Sequence, residues 1–199
     1  MPKVLIAVPT FENIYPDVFK AIYNLRTGSY SCDFDFVRGY DCATARNNIA
    51  RRALNGDYSH VFMVDNDVVV PSYGLWTLLE DDKDVVVGYY PKRSGKNGES
   101  CIYKMGEYNF TQTYTVEELK YGETPALFQI HGTGMGCALI KTEVFEKITY
   151  PWFDWVNYKN GNNLSEDLYF CKRCKEAEIP IFLDVRVGCG HIIRETKWR

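Results

Sequence analysis

The chain has 199 residues, 46% of them hydrophobic and 25% charged, the balance of an ordinary globular protein able to bury a sizeable core. Its 26 acidic and 23 basic side chains leave a net charge of −3 with the histidines neutral. That excludes a protein held on nucleic acid by a generally basic surface, though not a local basic pocket. No run of about eighteen apolar residues is present, so no membrane span is expected. The opening MPKVLIAVP is too short for a signal peptide and reads as a strand. Seven scattered cysteines, odd in number, suit a reducing compartment and hence a cytoplasmic location better than a disulfide scaffold. Cys171 and Cys174 lie two residues apart with no second pair to face them, which favours neither a zinc site nor a redox pair.

Residues 3–9 form a continuous apolar run, the pattern of a buried strand. Residues 14–26 read as a helix with Val18, Phe19, Ile22 and Leu25 on one side, stopped by Gly28. Residues 33–39 predict a second strand, and residues 42–54 a helix with Ala45, Ile49, Ala53 and Leu54 along its stripe. Residues 60–64 predict a third strand that runs straight into Asp65-Asn66-Asp67. Pro71 and Ser72 open a helix carrying Leu75, Leu78 and Leu79, and residues 84–89 form a fourth strand. This alternation predicts an α/β fold with a mainly parallel central sheet flanked by helices, whose ligand sites lie beyond the carboxyl ends of the strands.

The rhythm then loosens. Residues 92–99 predict a charged loop, and residues 100–121 a hairpin. Short strands are expected at 127–131 and 136–140, and a short helix at 141–148. Residues 165–177 read as a firmer helix with Leu168, Cys171 and the stem of Lys175 on one side, and residues 180–187 as the last strand. With no repeat or clear linker, residues 1–199 are expected to be one domain, 1–92 forming a nucleotide and metal part and 93–199 an acceptor part.

Asp65 and Asp67 share a face if their strand continues through them. Two adjacent carboxylates repel unless a cation joins them, and a divalent ion bridging to phosphate oxygens supplies that charge. A polar turn is the plain reading of the same residues. Arg46, in the first turns of its helix, suits a phosphate clamp or a salt bridge to Asp41 or Asp65. Thr10 and Asp41 read equally well as a loop or cap residue and as a helix cap. The glycines of His131-Gly132-Thr133-Gly134-Met135-Gly136 permit close backbone approach to a sugar or diphosphate, or make a tight turn. Trp152, Phe153 and Trp155 read as an acceptor platform or as core. Residues 158–163 have the polar character of a movable lid. Glu166 and Asp167 follow a capping Ser165, where acidic residues meet the positive end of a helix.

In order and spacing, VLIAVPT, ATARNNIARRAL with HVFMVDNDVVVP, GTGMGCALIKTEVF and SEDLYFCKRCKEAEIPIFLDVRVGCGH resemble the nucleotide-sugar glycosyltransferases of the GT-A type, the family 2 group and its relatives. The resemblance spans nearly the whole chain except residues 92–125. It implies metal-dependent transfer of a sugar from a nucleoside-diphosphate donor, probably UDP-linked in kind, to a hydroxyl on a glycan, glycoprotein or small glycoside. It implies Mn2+ or Mg2+ held by Asp65, Asp67 and the late His191. It puts Pro9, Thr10, Asp41, Arg46, Asp65, Asn66, Lys92 and Gly134 around the donor, with Arg93 as a further positive charge. In an inverting member Asp167 is the base and Glu166 orients the acceptor; a retaining enzyme needs no base there. The acidic pair tilts the expectation toward inversion. The rivals are a retaining transferase of the same fold, a nucleotidyltransferase, whose Gly-rich basic loop is missing from PTFENIYP, and a nucleotide-sugar-binding module without catalysis. The chain also lacks the basic-aromatic strip of a nucleic-acid module.

Overall fold

The first strand, β1 (Lys3–Thr10), is buried along all but its first residue, as a Val- and Ile-rich run between two layers must be. The structure, a computed structural model, describes residues 2–11, 13–93, 98–104, 110, 112–158 and 163–192. Helix α1 (Pro16–Tyr23) is shorter than its pattern predicts, because Pro16 sets its first turn. Then follow β2 (Ser31–Arg38), α2 (Cys42–Asn55), β3 (His60–Val64), the short β4 (Val68–Val69), α3 (Gly74–Glu80) and β5 (Val85–Tyr89). The hairpin expected next is present as β6 (Glu99–Tyr103) and β7 (Thr113–Thr115), paired antiparallel. It leads into α4 (Val116–Tyr121), which the sequence reading does not contain. Its Thr115 and Glu118 form a reciprocal capping box, and T-x-x-E is the signal that marks such a start.

The remaining elements are β8 (Leu127–Ile130), β9 (Gly132–Thr133), β10 (Cys137–Lys141), α5 (Val144–Lys147), β11 (Val156–Asn157), β12 (Asn163–Leu164), α6 (Glu166–Glu176), β13 (Ile181–Gly188) and β14 (Gly190–His191). The central sheet has seven strands in the order β2-β1-β3-β10-β5-β13-β8. Strands β2, β1, β3, β5 and β13 share one direction, while β10 and β8 run against them. The sheet is therefore mixed around a mainly parallel core. Strand β10 separates β3 from β5 and pairs with both, so residues from each half of the chain share one sheet and one apolar core. The buried face of α6 is Glu166, Phe170, Cys171 and Cys174 rather than a stripe through Leu168 and Lys175. Its i, i+4, i+8 spacing carries Glu166 inward with Phe170 and Cys174. Trp152 and Phe153 are core residues, with Phe153 stacked on Phe170 at 4.8 Å, and only Trp155 of that trio is exposed. All seven cysteines are unpaired. Among the described residues no helix is long and apolar enough to cross a membrane.

Helix α3 is tied to β13 by charge. Arg186 donates from Nε to both oxygens of the fully buried Asp184 at 3.0 Å, and its Nη2 bonds Asp81 Oδ1 at 2.9 Å. The other Asp81 oxygen is buried without a donor. Burial, and then the Asp184 carboxylate, push the Asp81 carboxyl up to about 6. A raised folded value means that this group's contribution is complete at low pH and is lost as pH rises from the ordinary carboxylate range through about 6. Asp81→Asn, which cannot ionise, is therefore expected to stabilise the protein at about pH 8 and to change little at about pH 4, measured by urea denaturation. Equal effects at both values would remove the shared-proton account.

Candidate functional site

The site is assembled where β3 ends. The Asp65 backbone N–H donates to the Gly136 carbonyl at 3.1 Å, and the chain turns through Val68 N–H on Asp65 O at 3.1 Å. Strand β4 then pairs with β14, placing His191 opposite Val68, and Ile192 N–H bonds Asp67 O at 2.8 Å. Two segments more than a hundred residues apart thus put His191 Nε2 at 3.4 Å from Asp67 Oδ2. His191 Nδ1 lies 2.6 Å from the Pro91 carbonyl. A carbonyl only accepts, so Nδ1 carries hydrogen and Nε2 faces the aspartate. Arg93 bonds the same Asp67 Oδ2. Burial works to raise the Asp67 value, but His191 and Arg93 outweigh it and hold the carboxyl low. Burial likewise works against the His191 cation, and Asp67 and the Pro91 carbonyl overcome it and raise its value.

Arg46 occupies a second centre. Its guanidinium is 2% exposed. Nε bonds Asp167 Oδ1 at 3.1 Å, Nη1 and Nη2 each reach Asp65 Oδ1 at 3.2 Å, and Nη2 lies 3.7 Å from Glu166 Oε1. Three carboxylates share one cation. Burial followed by the Asp167 charge pushes the Glu166 carboxyl up to about 7 despite Arg46. Burial also raises Asp167, against the pull of Arg46. The Arg46 cation persists although burial opposes it, because Asp167, Asp65 and Glu166 surround it. Of the two salt bridges the sequence allows, the structure contains that to Asp65.

Between these centres opens a cleft of about 240 Å³. Asp65, Asp67, Lys92, Gly134, Asp167 and His191 line it, as do Arg93, Tyr90 and Tyr103. The other candidates lie outside its lining. Thr10 bonds Asn13 O at 2.5 Å and accepts from Asn66 Nδ2 at 3.1 Å, so both stitch the end of β1 to the aspartate loop. Pro9 is buried within β1. Asp41 caps α2, accepting from the Thr44 amide at 3.1 Å and its hydroxyl at 2.6 Å. Arg46 and Glu166 sit beneath the floor. The glycines of 132–136 make room for side chains. A Cβ at Gly134 would meet the Tyr90 hydroxyl at 2.4 Å, and one at Gly136 would meet Tyr90 at 2.8 Å and Asp65 Oδ2 at 2.9 Å. Tyr90 Oη in turn accepts from the Gly136 amide at 3.0 Å. The sequence reading does not single out Tyr90. It follows the carboxyl end of β5 at the same sheet edge as Asp65, and that position is the signal that marks it. Most of the expected lid, residues 159–162, and the basic tail with Arg194, Lys197 and Arg199 lie outside the described residues.

The residues present fit a divalent ion in part. Asp67 and His191 converge with donor types that suit Mn2+, and the Pro91 carbonyl orients the imidazole as a ligand-bearing histidine requires. Asp65 turns instead to Arg46. Among the described residues, no group of three or more His, Cys, Asp or Glu side chains is arranged to hold a metal.

No family model and no curated protein matches this sequence. Solved structures do. The crystal structure of A197 from STIV superposes with a TM-score of 0.67 at 21% identity, over 96% of this chain and 86% of that one. The crystal structure of GalNAc-T7 with UDP, GalNAc and Mn2+ gives a TM-score of 0.67 at 12% identity, over 99% of this chain and 44% of that one. Together they define the class of architecture: the chain has a GT-A-like α/β fold. At these identities the likeness is one of fold.

Proposed function

We propose that the cleft binds a nucleoside-diphosphate sugar, with UDP the first base to test, and transfers the sugar to a hydroxyl with retention of its configuration. The observation that carries this reading is the convergence of Asp67, His191, Lys92 and Asp167 on one cleft beyond the carboxyl end of β3, where open α/β sheets hold their ligands. The GT-A-like fold and the UDP, GalNAc and Mn2+ bound to GalNAc-T7 support it. Asp67 and His191 would hold Mn2+, which when bound supplies positive charge against a departing diphosphate. Lys92 and Arg93 stand on the facing wall to bind phosphate oxygens. Tyr90 and Tyr103 offer polar-edged rings to the sugar or acceptor.

Retention is favoured over inversion by the bonding of Asp167. Arg46 and the Met135 backbone amide already bond its carboxylate, so it serves the floor of the site instead of standing free to take a proton from an acceptor. Asp167→Asn is accordingly expected to keep transfer within about tenfold of the parent, whereas loss of a general base costs roughly 10²–10⁴-fold. Release of nucleoside diphosphate from a panel of uridine, guanosine and thymidine donors, with and without Mn2+, tests the activity. Anomeric analysis of the product tests the stereochemistry, and an inverted product would overturn that part.

A second reading, a module that binds a nucleotide sugar without turning it over, is favoured by one observation: Asp65 and Asp67 are both occupied by arginines. Tight donor binding without release of diphosphate to any acceptor or to water would establish it.

A further inference from the structure

The Asp67 carboxylate is already matched with a cation. Its side chain is 6% exposed, whereas that of Arg93, which bonds it, is 69% exposed. A carboxylate taken so far from water needs a positive partner. Arg93 and His191 both converge on Oδ2, the oxygen that points into the cleft. Asp65 adds to the negative field around Arg93. Backbone next to Arg93 is fixed, since Pro91 bridges Ser100 and the Lys92 N–H donates to Glu99 O at 2.8 Å. Lys92 itself is engaged, 3.5 Å from Glu99 and 4.6 Å above the Tyr103 ring. The mobile part of this arrangement is thus the exposed Arg93 side chain. A divalent ion and a guanidinium cannot share one carboxylate oxygen, because their charges repel at that distance.

We infer that Arg93 occupies the seat of the divalent ion until that ion arrives, and that its displaced guanidinium then binds the donor diphosphate. Arg93 thereby couples the two binding events. The inference rests on the metal and nucleotide assignments of the preceding section. A planar fork of donors suits phosphate oxygens as well as it suits the aspartate, and Arg93 lines the cleft where it would meet them.

The two halves of this exchange have opposite signs in one variant. By calorimetric titration, Arg93→Ala is expected to bind Mn2+ alone about tenfold more tightly than the parent, because no cation has to leave Asp67. With Mn2+ saturating, it is expected to bind UDP about tenfold more weakly. Both figures follow from the worth of one charge-assisted hydrogen bond. Asp67→Asn should abolish Mn2+ binding in either background. Arg93 is mostly exposed, so the variant is expected to fold, and thermal unfolding checks this. Unchanged or weaker Mn2+ affinity in Arg93→Ala would overturn the inference, as would absence of Mn2+ binding from both proteins. Tighter Mn2+ binding with no UDP binding to either protein would sustain the exchange at Asp67. It would overturn the diphosphate as the destination of Arg93, and with it the nucleotide-sugar reading.

Discussion

Arg46→Met is expected to lower the unfolding free energy by about 3–5 kcal/mol, the scale for removing one partner of a buried ion pair. Methionine fills similar space, so the loss is electrostatic rather than a cavity. Without the guanidinium, Asp65, Glu166 and Asp167 face one another with no cation among them. Their folded-state values then rise above their unfolded ones, and groups of that kind lose their contribution as pH increases. The destabilisation should therefore be greatest at about pH 8 and should shrink toward about pH 5, where the carboxyls take up protons. Glu166, already pushed up to about 7 with Arg46 present, should be the first to do so. Urea denaturation across that range measures it. Arg46→Lys should rescue only part of the loss, since one ammonium cannot reproduce a planar fork that touches three side chains. A loss below about 1 kcal/mol at pH 8 would show that the cluster holds itself together without Arg46.

Asp67→Asn is expected to cost at least about 10²-fold in Mn2+ affinity and in metal-dependent UDP binding, since even residues that only support a metal ligand are worth 10–100-fold. The substitution conserves size and removes the charge on which His191 and Arg93 converge. The imidazolium of His191 loses its main source of support, so its titration, followed by NMR of the ring protons, should move down relative to the parent. These two readouts separate a binding role from a merely structural one. Normal Mn2+ affinity would remove Asp67 from the metal site, and an unmoved His191 titration would mean that the contact between them is incidental.

Much of the first half of the fold is legible in local pattern. The run VFMV followed by Asp-Asn-Asp gives both a buried strand and the point where its polar end must emerge, and β3 ends there. The apolar runs of β1 and β5 are equally plain. Strand direction is less so: nothing in CALIK says that β10 runs against β3 and β5, because that pairing is fixed by partners some seventy residues away. Side-chain destinations are hidden for a similar reason. Asp41 and Asp67 are both aspartates at the edge of a helix or strand, yet one caps α2 in solvent and the other is sealed by His191. Glu166 looks like an ordinary first-turn acid until the inward face of α6 is known. The engagement of Asp167 by Arg46 depends on a contact spanning 121 residues, and it is this contact that shifts the reading from inversion toward retention.

The insertion of β10 bears on how the protein comes to exist on the ribosome. Strands β3 and β5 are complete once residue 89 has been made, yet neither touches the other, and the strand that joins them is not synthesised until residues 137–141. Until then each presents an open hydrogen-bonding edge of valine-rich backbone, the kind of surface that pairs with other chains. A piece cut after Lys92 would carry both aspartates of the cleft and still lack the β10 strand that pairs with β3 and β5 and the carbonyl that fixes Asp65. Pairings of such long sequence separation also place this chain among slow folders. The waiting interval, during which a nascent polypeptide displays unfilled edges, is the period in which a chaperone would matter to it most.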